Sequence, residues 1–324
     1  MSKTVSTVLS LLFVAFVSLH AAAADKKSGT FTDPKNAGPE YAVQGEYEGK
    51  IGDGKAGVQV IALGGGKYHV VSYPGGLPGD GWKRGDEKHE ADLATKDGVV
   101  SGSKNEYHAT IKDGVFTLSR GDEVIGTLKK VTRKSKTLGA KPPKGAVVLF
   151  GGKSVENFEG GHLSKDGYLL AGTHSKQKFG DSTLHVEFRT PFKPAARGQG
   201  RGNSGVYVQS RYELQVLDSF GLEGKNNECG GFYSISEPDV NMCFPPLTWQ
   251  TYDIDFTAAR YEDGKKVKNA RVTVKHNGVV IHKDLELPRG TPGRLREGPG
   301  PAPVYLQGHG NPVVFRNIWI VPKK

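Results

Sequence analysis

Glu187 and Arg189, Tyr207 and Gln209, and Glu213 and Gln215 are three pairs of polar residues, each pair spaced two apart in a short alternating run. In an extended chain that spacing puts both members on one face. Leu184, Val186 and Phe188 oppose the first pair; Val206 and Val208 oppose the second; Tyr212, Leu214 and Val216 oppose the third. With the three runs side by side, their non-core face collects carboxylates, amides, a guanidinium and a phenol ring. Planar hydrogen-bonding groups suit sugar hydroxyls, and an aromatic face suits sugar C–H surfaces. An ordinary solvated sheet face has the same composition, so alternation alone does not separate the two readings. Asn203-Ser204-Gly205 and Gln307-Gly308-His309-Gly310 add polar side chains beside glycines, where backbone can approach a ligand.

The elements that must position these residues read as strands. The chain has 324 residues, 45 of them Gly and 18 Pro, with short apolar stretches between. That pattern predicts many short strands joined by turns, and no window sustains a helical apolar period. Residues 25–40 read as a flexible polar lead-in and 41–132 as a small β-rich domain, with a hairpin of Val58–Leu63 and Lys67–Tyr73. Residues 133–146, with Pro142-Pro143, read as a semi-rigid linker. Residues 147–324 then form the larger all-β domain, in which Asn277-Gly278 is the strongest hairpin signal. Alternating strands without intervening helices predict two packed antiparallel sheets.

Residues 1–24 have the layout of a secretory signal peptide: Lys3, an apolar core from Val8 to Leu19, then Ala21 to Ala24. The expectation is an exported protein, periplasmic or extracellular, with no stable membrane span. Export makes a Cys229–Cys243 disulfide the favoured reading over two buried thiols. The net charge of +10 is spread along the chain and interleaved with acids. Nucleic acid is therefore not an expected partner, while attraction to acidic polysaccharide is permitted.

Several motifs in order carry a resemblance. They are Phe179-Gly180-Asp181 with Leu184 to Arg189, Gly202 to Tyr207, Tyr212 to Asp218, Trp249 to Tyr252, His276-Asn277-Gly278, Leu306 to Gly310, and Phe315 to Ile318. Together, across roughly residues 147–322, they resemble the 3-keto-disaccharide hydrolase domain family, and residues 41–132 resemble a planctomycete-type β extension that precedes it. The opening motif departs from the family's Leu-Phe-Asn-Gly-Lys and Gly-Trp, reading Leu149-Phe150-Gly151-Gly152-Lys153 with Phe158 near the tryptophan position.

The resemblance implies a concanavalin-like jelly-roll β-sandwich and cleavage of glycosides already oxidised at C3. A C3 ketone acidifies the C2 proton; a base removes it, the C1 oxygen leaves, and water adds back. Glu187, Glu213 and His309 are the candidate bases, and Arg189 or a divalent metal such as calcium would stabilise the enolate. Tyr207 would donate a proton, and Asn203, Gln209, Gln215, Asp218, Trp249 and Gln307 would line the substrate. Glu187, Arg189, Glu213 and His309 are thus expected to converge in one pocket. A non-catalytic carbohydrate-binding module is the alternative, since the fold hosts both. A retaining endoglucanase is disfavoured, because Glu213 and Asp218 fall on opposite strand faces.

Overall fold

The computed structural model describes residues 29–323, so the leader at 1–24 lies outside the described residues. Between Gly45 and Val131, eight antiparallel strands close into a barrel, and closure leaves it no free sheet edge. Tyr47, Val58, Val60, Tyr68, Leu93 and Phe116 fill its interior. The expected hairpin is present as Gly54–Gly64 paired with Lys67–Pro74.

The second unit is a sandwich. Its principal strands are β1 (Thr173–Phe179), β2 (Ser182–Arg189), β3 (Ser204–Val208), β4 (Tyr212–Val216), β5 (Gln250–Thr257), β6 (Ala270–His276), β7 (Val279–Leu287), β8 (Ala302–Leu306) and β9 (Val314–Pro322). One sheet has seven strands and runs from Val147–Phe150 through β9, β2, β5, β6 and β7, with Leu169–Leu170 attached to β9. The other has five, ordered Phe158–Glu159, β1, β8, β3, β4. The apolar set of each strand faces inward, so Leu184, Val186, Phe188, Val206, Leu214, Tyr252, Ile254 and Leu306 share one core. The β6–β7 turn has positive φ at Asn277 (53°) and Gly278 (82°), as a two-residue hairpin loop requires.

Four expectations need correction. First, β2 does not lie beside β3 and β4: it pairs with β5 and β9 in the opposite sheet. The 14 residues between β2 and β3 cross from one sheet to the other, which local alternation cannot reveal. Second, the lead-in is ordered from residue 31. Phe31 forms a bridge with Phe192, Tyr41 packs on the same ring, and Gly38–Val43 is helical.

Third, residues 133–146 are a strap packed on the seven-stranded sheet. Ser135 Oγ meets Thr251 at 2.6 Å, Thr137 Oγ1 donates to Asp253 at 2.6 Å, and Ala140 O accepts from Trp319 Nε1 at 3.1 Å. Polar side chains on the outer face of that sheet draw the strap down by offering its backbone partners. Fourth, Cys229 and Cys243 are free, buried thiols. The two thiols lie within hydrogen-bond reach of each other without a bridge; Cys229 also meets the Tyr252 hydroxyl at 3.2 Å, and Cys243 Sγ lies 3.5 Å from Leu217 O.

Candidate active site

The five-stranded sheet carries a continuous polar rung on its outer face. Register pairs His174 on β1 with Tyr305 on β8, Tyr305 with Tyr207 on β3, and Tyr207 with Glu213 on β4. Glu159 pairs in turn with His174, so all five strands contribute one side chain each at one height. One step along, Gly205 pairs with Gln215, and Gln307 N donates to Gly205 O at 2.8 Å.

Gly205 has a specific use here. A Cβ at that position would lie 2.6 Å from Glu213 Oε1 and 3.1 Å from the Tyr207 ring. The missing side chain is the space into which the Glu213 carboxyl leans.

Glu213 is 4% exposed. Burial pushes its carboxyl up to about 7, with the Tyr207 hydroxyl pulling back in the other direction. Burial, reinforced by the Glu213 charge, raises Tyr207 well above the ordinary phenol range. The Tyr207 hydroxyl donates to Pro292 O at 3.2 Å and accepts from Gln307 Nε2 at 3.2 Å. At the other end of the rung, the Arg294 guanidinium lies 4.5 Å from the Tyr305 ring centre, and its Nη2 donates to His174 Nδ1 at 3.2 Å. Burial and the adjacent Arg294 charge push His174 down, favouring a neutral imidazole.

The amides beside the rung are oriented by acceptors that cannot turn round. Gln199 Nε2 donates to Asn227 O at 2.8 Å, so its oxygen faces Asn203 Nδ2 (2.9 Å) and Gln215 Nε2 (3.1 Å). Among the described residues, the carbonyl oxygens of Asn203, Gln215 and Gln307 are left without a partner. Unpartnered buried acceptors are costly, and ligand hydroxyls are groups that would satisfy them.

Asn203, Tyr207, Glu213, Gln215 and Gln307 are therefore brought together, and Glu187, Arg189, Gln209, Asp218 and Trp249 are engaged elsewhere. Glu187 and Arg189 stand on the outer face of the opposite sheet. Glu187 is 1% exposed under the strap and accepts from Arg316 Nε (2.7 Å), Asn317 Nδ2 (2.9 Å) and Gly139 N (2.5 Å). Burial alone would push its carboxyl up, but hydrogen bonds led by His185 outweigh it and hold the group at about 2. A carboxylate so firmly held makes a poor base.

Arg189 lies over the paired rings of Tyr168 (5.2 Å) and Trp249 (5.1 Å), and Arg316 covers Trp249 at 4.1 Å. Trp249 is thus occupied by guanidinium groups on the side away from Glu213. Asp218 is buried against Arg201 at 2.7 Å, and Gln209 Nε2 is spent on Phe179 O. His309 is exposed in the loop after β8, and among the described residues its ring has no hydrogen bond.

Sequence reasoning missed His174, Gln199, Arg294 and Tyr305. Tyr305 carried a usable signal, since it is the outward position of the alternating Val304-Tyr305-Leu306. Arg294 sits in a loop with no periodicity to read.

The donor set falls short of what a divalent cation needs. The rung holds two carboxylates, at opposite ends, Glu213 on β4 and Glu159 paired with His174, and the described residues contain no trio of His, Cys, Asp or Glu able to grip a metal. Calcium sites use several oxygens, carboxylates prominent among them, so this set does not fit one.

The family model for the 3-keto-alpha-glucoside-1,2-lyase-like domain matches residues 145–321. Among solved structures, a candidate glycosyl hydrolase from Parabacteroides distasonis is similar at 33% identity and a TM-score of 0.50, covering 56% of this chain and 85% of that one. A second candidate glycosyl hydrolase from the same organism has 18% identity and a TM-score of 0.42, covering 56% of this chain and 95% of that one. A search of the curated proteins finds no match.

Proposed function

The chain belongs to the 3-keto-alpha-glucoside-1,2-lyase-like domain family, and from that premise we propose that it cleaves glycosides oxidised at C3 of the sugar, with Glu213 as the base. The observation that carries this reading is the rung His174, Tyr305, Tyr207, Glu213, which gathers a buried carboxyl, two phenols and an imidazole beside unpartnered amide oxygens.

Glu213 takes the C2 proton, and the electron pair moves onto the C3 oxygen as an enolate. Arg294 and the N–H of neutral His174 supply the positive and hydrogen-bonding contacts for that oxygen. The enolate then collapses to a C1=C2 double bond, and the C1 oxygen departs with a proton. Tyr207 is the donor: once Glu213 has become neutral, the part of the rise that its charge added to burial is gone, and the hydroxyl gives up its proton more readily. Addition of water across C1=C2 completes a net hydrolysis. The amide oxygens of Asn203, Gln215 and Gln307 accept from sugar hydroxyls.

The test is release of aglycone from 3-keto-glucosides by the mature chain, with and without a chelator. Turnover that persists in chelator is expected. Tight sugar binding with no release from any 3-keto substrate would favour the binding-module reading. The leader-like residues 1–24 support export to the periplasm or beyond. Amino-terminal sequencing of the exported protein is expected to begin near Asp25, and an intact Met1 would count against it.

A further inference from the structure

The segment from Arg289 to Glu297, with Ser234, lines an open cavity of about 500 Å³. It adjoins the reacting rung, because Pro292 accepts the Tyr207 hydrogen bond and a Cβ on Gly293 would collide with the Tyr207 hydroxyl. Three arginines line the cavity: Arg289, Arg294 and Arg296. None of the three is paired with a carboxylate among the described residues. Arg289 donates to Ser234 O at 2.7 Å, Arg294 is held by His174 and the Tyr305 ring, and Arg296 makes no hydrogen bond or ion pair. The one acid in the lining, Glu297, is already engaged by Tyr212 Oη (2.6 Å) and Lys266 Nζ (2.7 Å).

Several arginines elsewhere find acids, Arg133 with Glu46, Arg201 with Asp218, Arg260 with Asp181 and Arg271 with Asp284, and others such as Arg197 and Arg211 spend their donors on backbone carbonyls. Three unpaired guanidinium groups around one cavity repel one another and present forked donors to any anion that enters. We propose that this cavity is an anion subsite that binds a carboxylate or sulfate group on the leaving part of the glycoside. The inference rests on the cleavage reading for the position of the reacting bond. The chain's net charge of +10 would favour the approach of such substrates at low salt.

The experiment uses the full mature chain and matched 3-keto-disaccharides whose leaving unit is glucose, glucuronate or glucose sulfate. Wild type is expected to favour at least one anionic substrate over the neutral one by tenfold or more in kcat/KM, with the preference shrinking as salt rises. The Arg289→Gln/Arg296→Gln variant should lose that preference while turning over the neutral substrate as wild type does. Arg296→Gln alone, which breaks no hydrogen bond, should lose part of it. Equal kcat/KM for all three substrates, or a preference that survives both substitutions, overturns the subsite. Calorimetry with the same disaccharides left unoxidised separates the two claims. Selective binding of the glucuronate or sulfate form, lost in the double variant, upholds the subsite even if no 3-keto substrate is cleaved. Binding that ignores the anionic group overturns it whatever the turnover.

Discussion

Glu213 is placed where its burial and its chemistry oppose each other. A carboxyl pushed up to about 7 is a stronger base than an exposed one, and it must be ionised to act. We expect kcat/KM to fall about tenfold per pH unit below 7 and to level off above it. Glu213→Gln should remove turnover by several orders of magnitude. The same residue should penalise stability. Its folded pKa lies above the unfolded value of 4.5, so the folded state resists ionisation. The penalty begins as pH rises through 4.5 and is complete above 7, at about 3 kcal/mol by linkage. Glu213→Gln should therefore raise the melting temperature at pH 8 and leave it unchanged at pH 4. Equal shifts at both pH values would show that the carboxyl is not held neutral by the fold.

Strands turn single residues into a site, and two elements do this in opposite ways. On β3, Gly205 makes room for a side chain from β4, so Gly205→Ala tests the element rather than the base. The added methyl must displace the end of Glu213, which is flexible, so the fold should survive. Turnover should drop by on the order of 10- to 100-fold, as misplacement of a reacting group does; an active Ala variant would show that Glu213 does not act from this position. On β2, Glu187 serves the strap over residues 133–146 instead. Glu187→Ala leaves Arg316 without its carboxylate and His185 with Asp253 alone, a loss of about 3 kcal/mol. Because the wild-type group is held at about 2, that contribution is present above about pH 4.5 and fades as pH falls toward 2. Activity per folded molecule should be retained. A folded but inactive Glu187→Ala protein would return that residue to the candidate bases.

At the scale of the whole molecule, barrel and sandwich share their surfaces. Phe220 packs with Ile61, Val71, Tyr73 and Leu77, while Phe192 and Leu247 join the barrel's interior cluster. Arg84 donates to the carbonyls of Glu223, Gly224, Pro238 and Asp239, and Arg201 reaches Ala62 O. Residues 145–324 retain the sandwich core when separated, but they expose these rings and lose Gly139 from Glu187. A fragment of that span should fold with β-type circular dichroism and melt roughly 10 °C below the full chain. An unchanged melting temperature would show that the interface contributes little.

Strand existence and inward faces were legible because a period of two is written locally: Leu184-Val186-Phe188 and Tyr212-Leu214-Val216 could face only a core. The ordered motifs from Phe179 to Ile318 likewise pointed to the family and its all-β sandwich. Which strands are neighbours was not written there. β2 and β3 have the same alternation, yet one lies in each sheet, and that separation took Glu187 and Arg189 away from Glu213. Pairing follows from how the whole set of apolar faces closes over one core, a sum over contacts distant in sequence. The strap, the free thiols, and the arrival of Arg294 and His174 at the rung have the same origin. Alternation decided which residues could face outward together on one strand; the closed sandwich decided which of them meet.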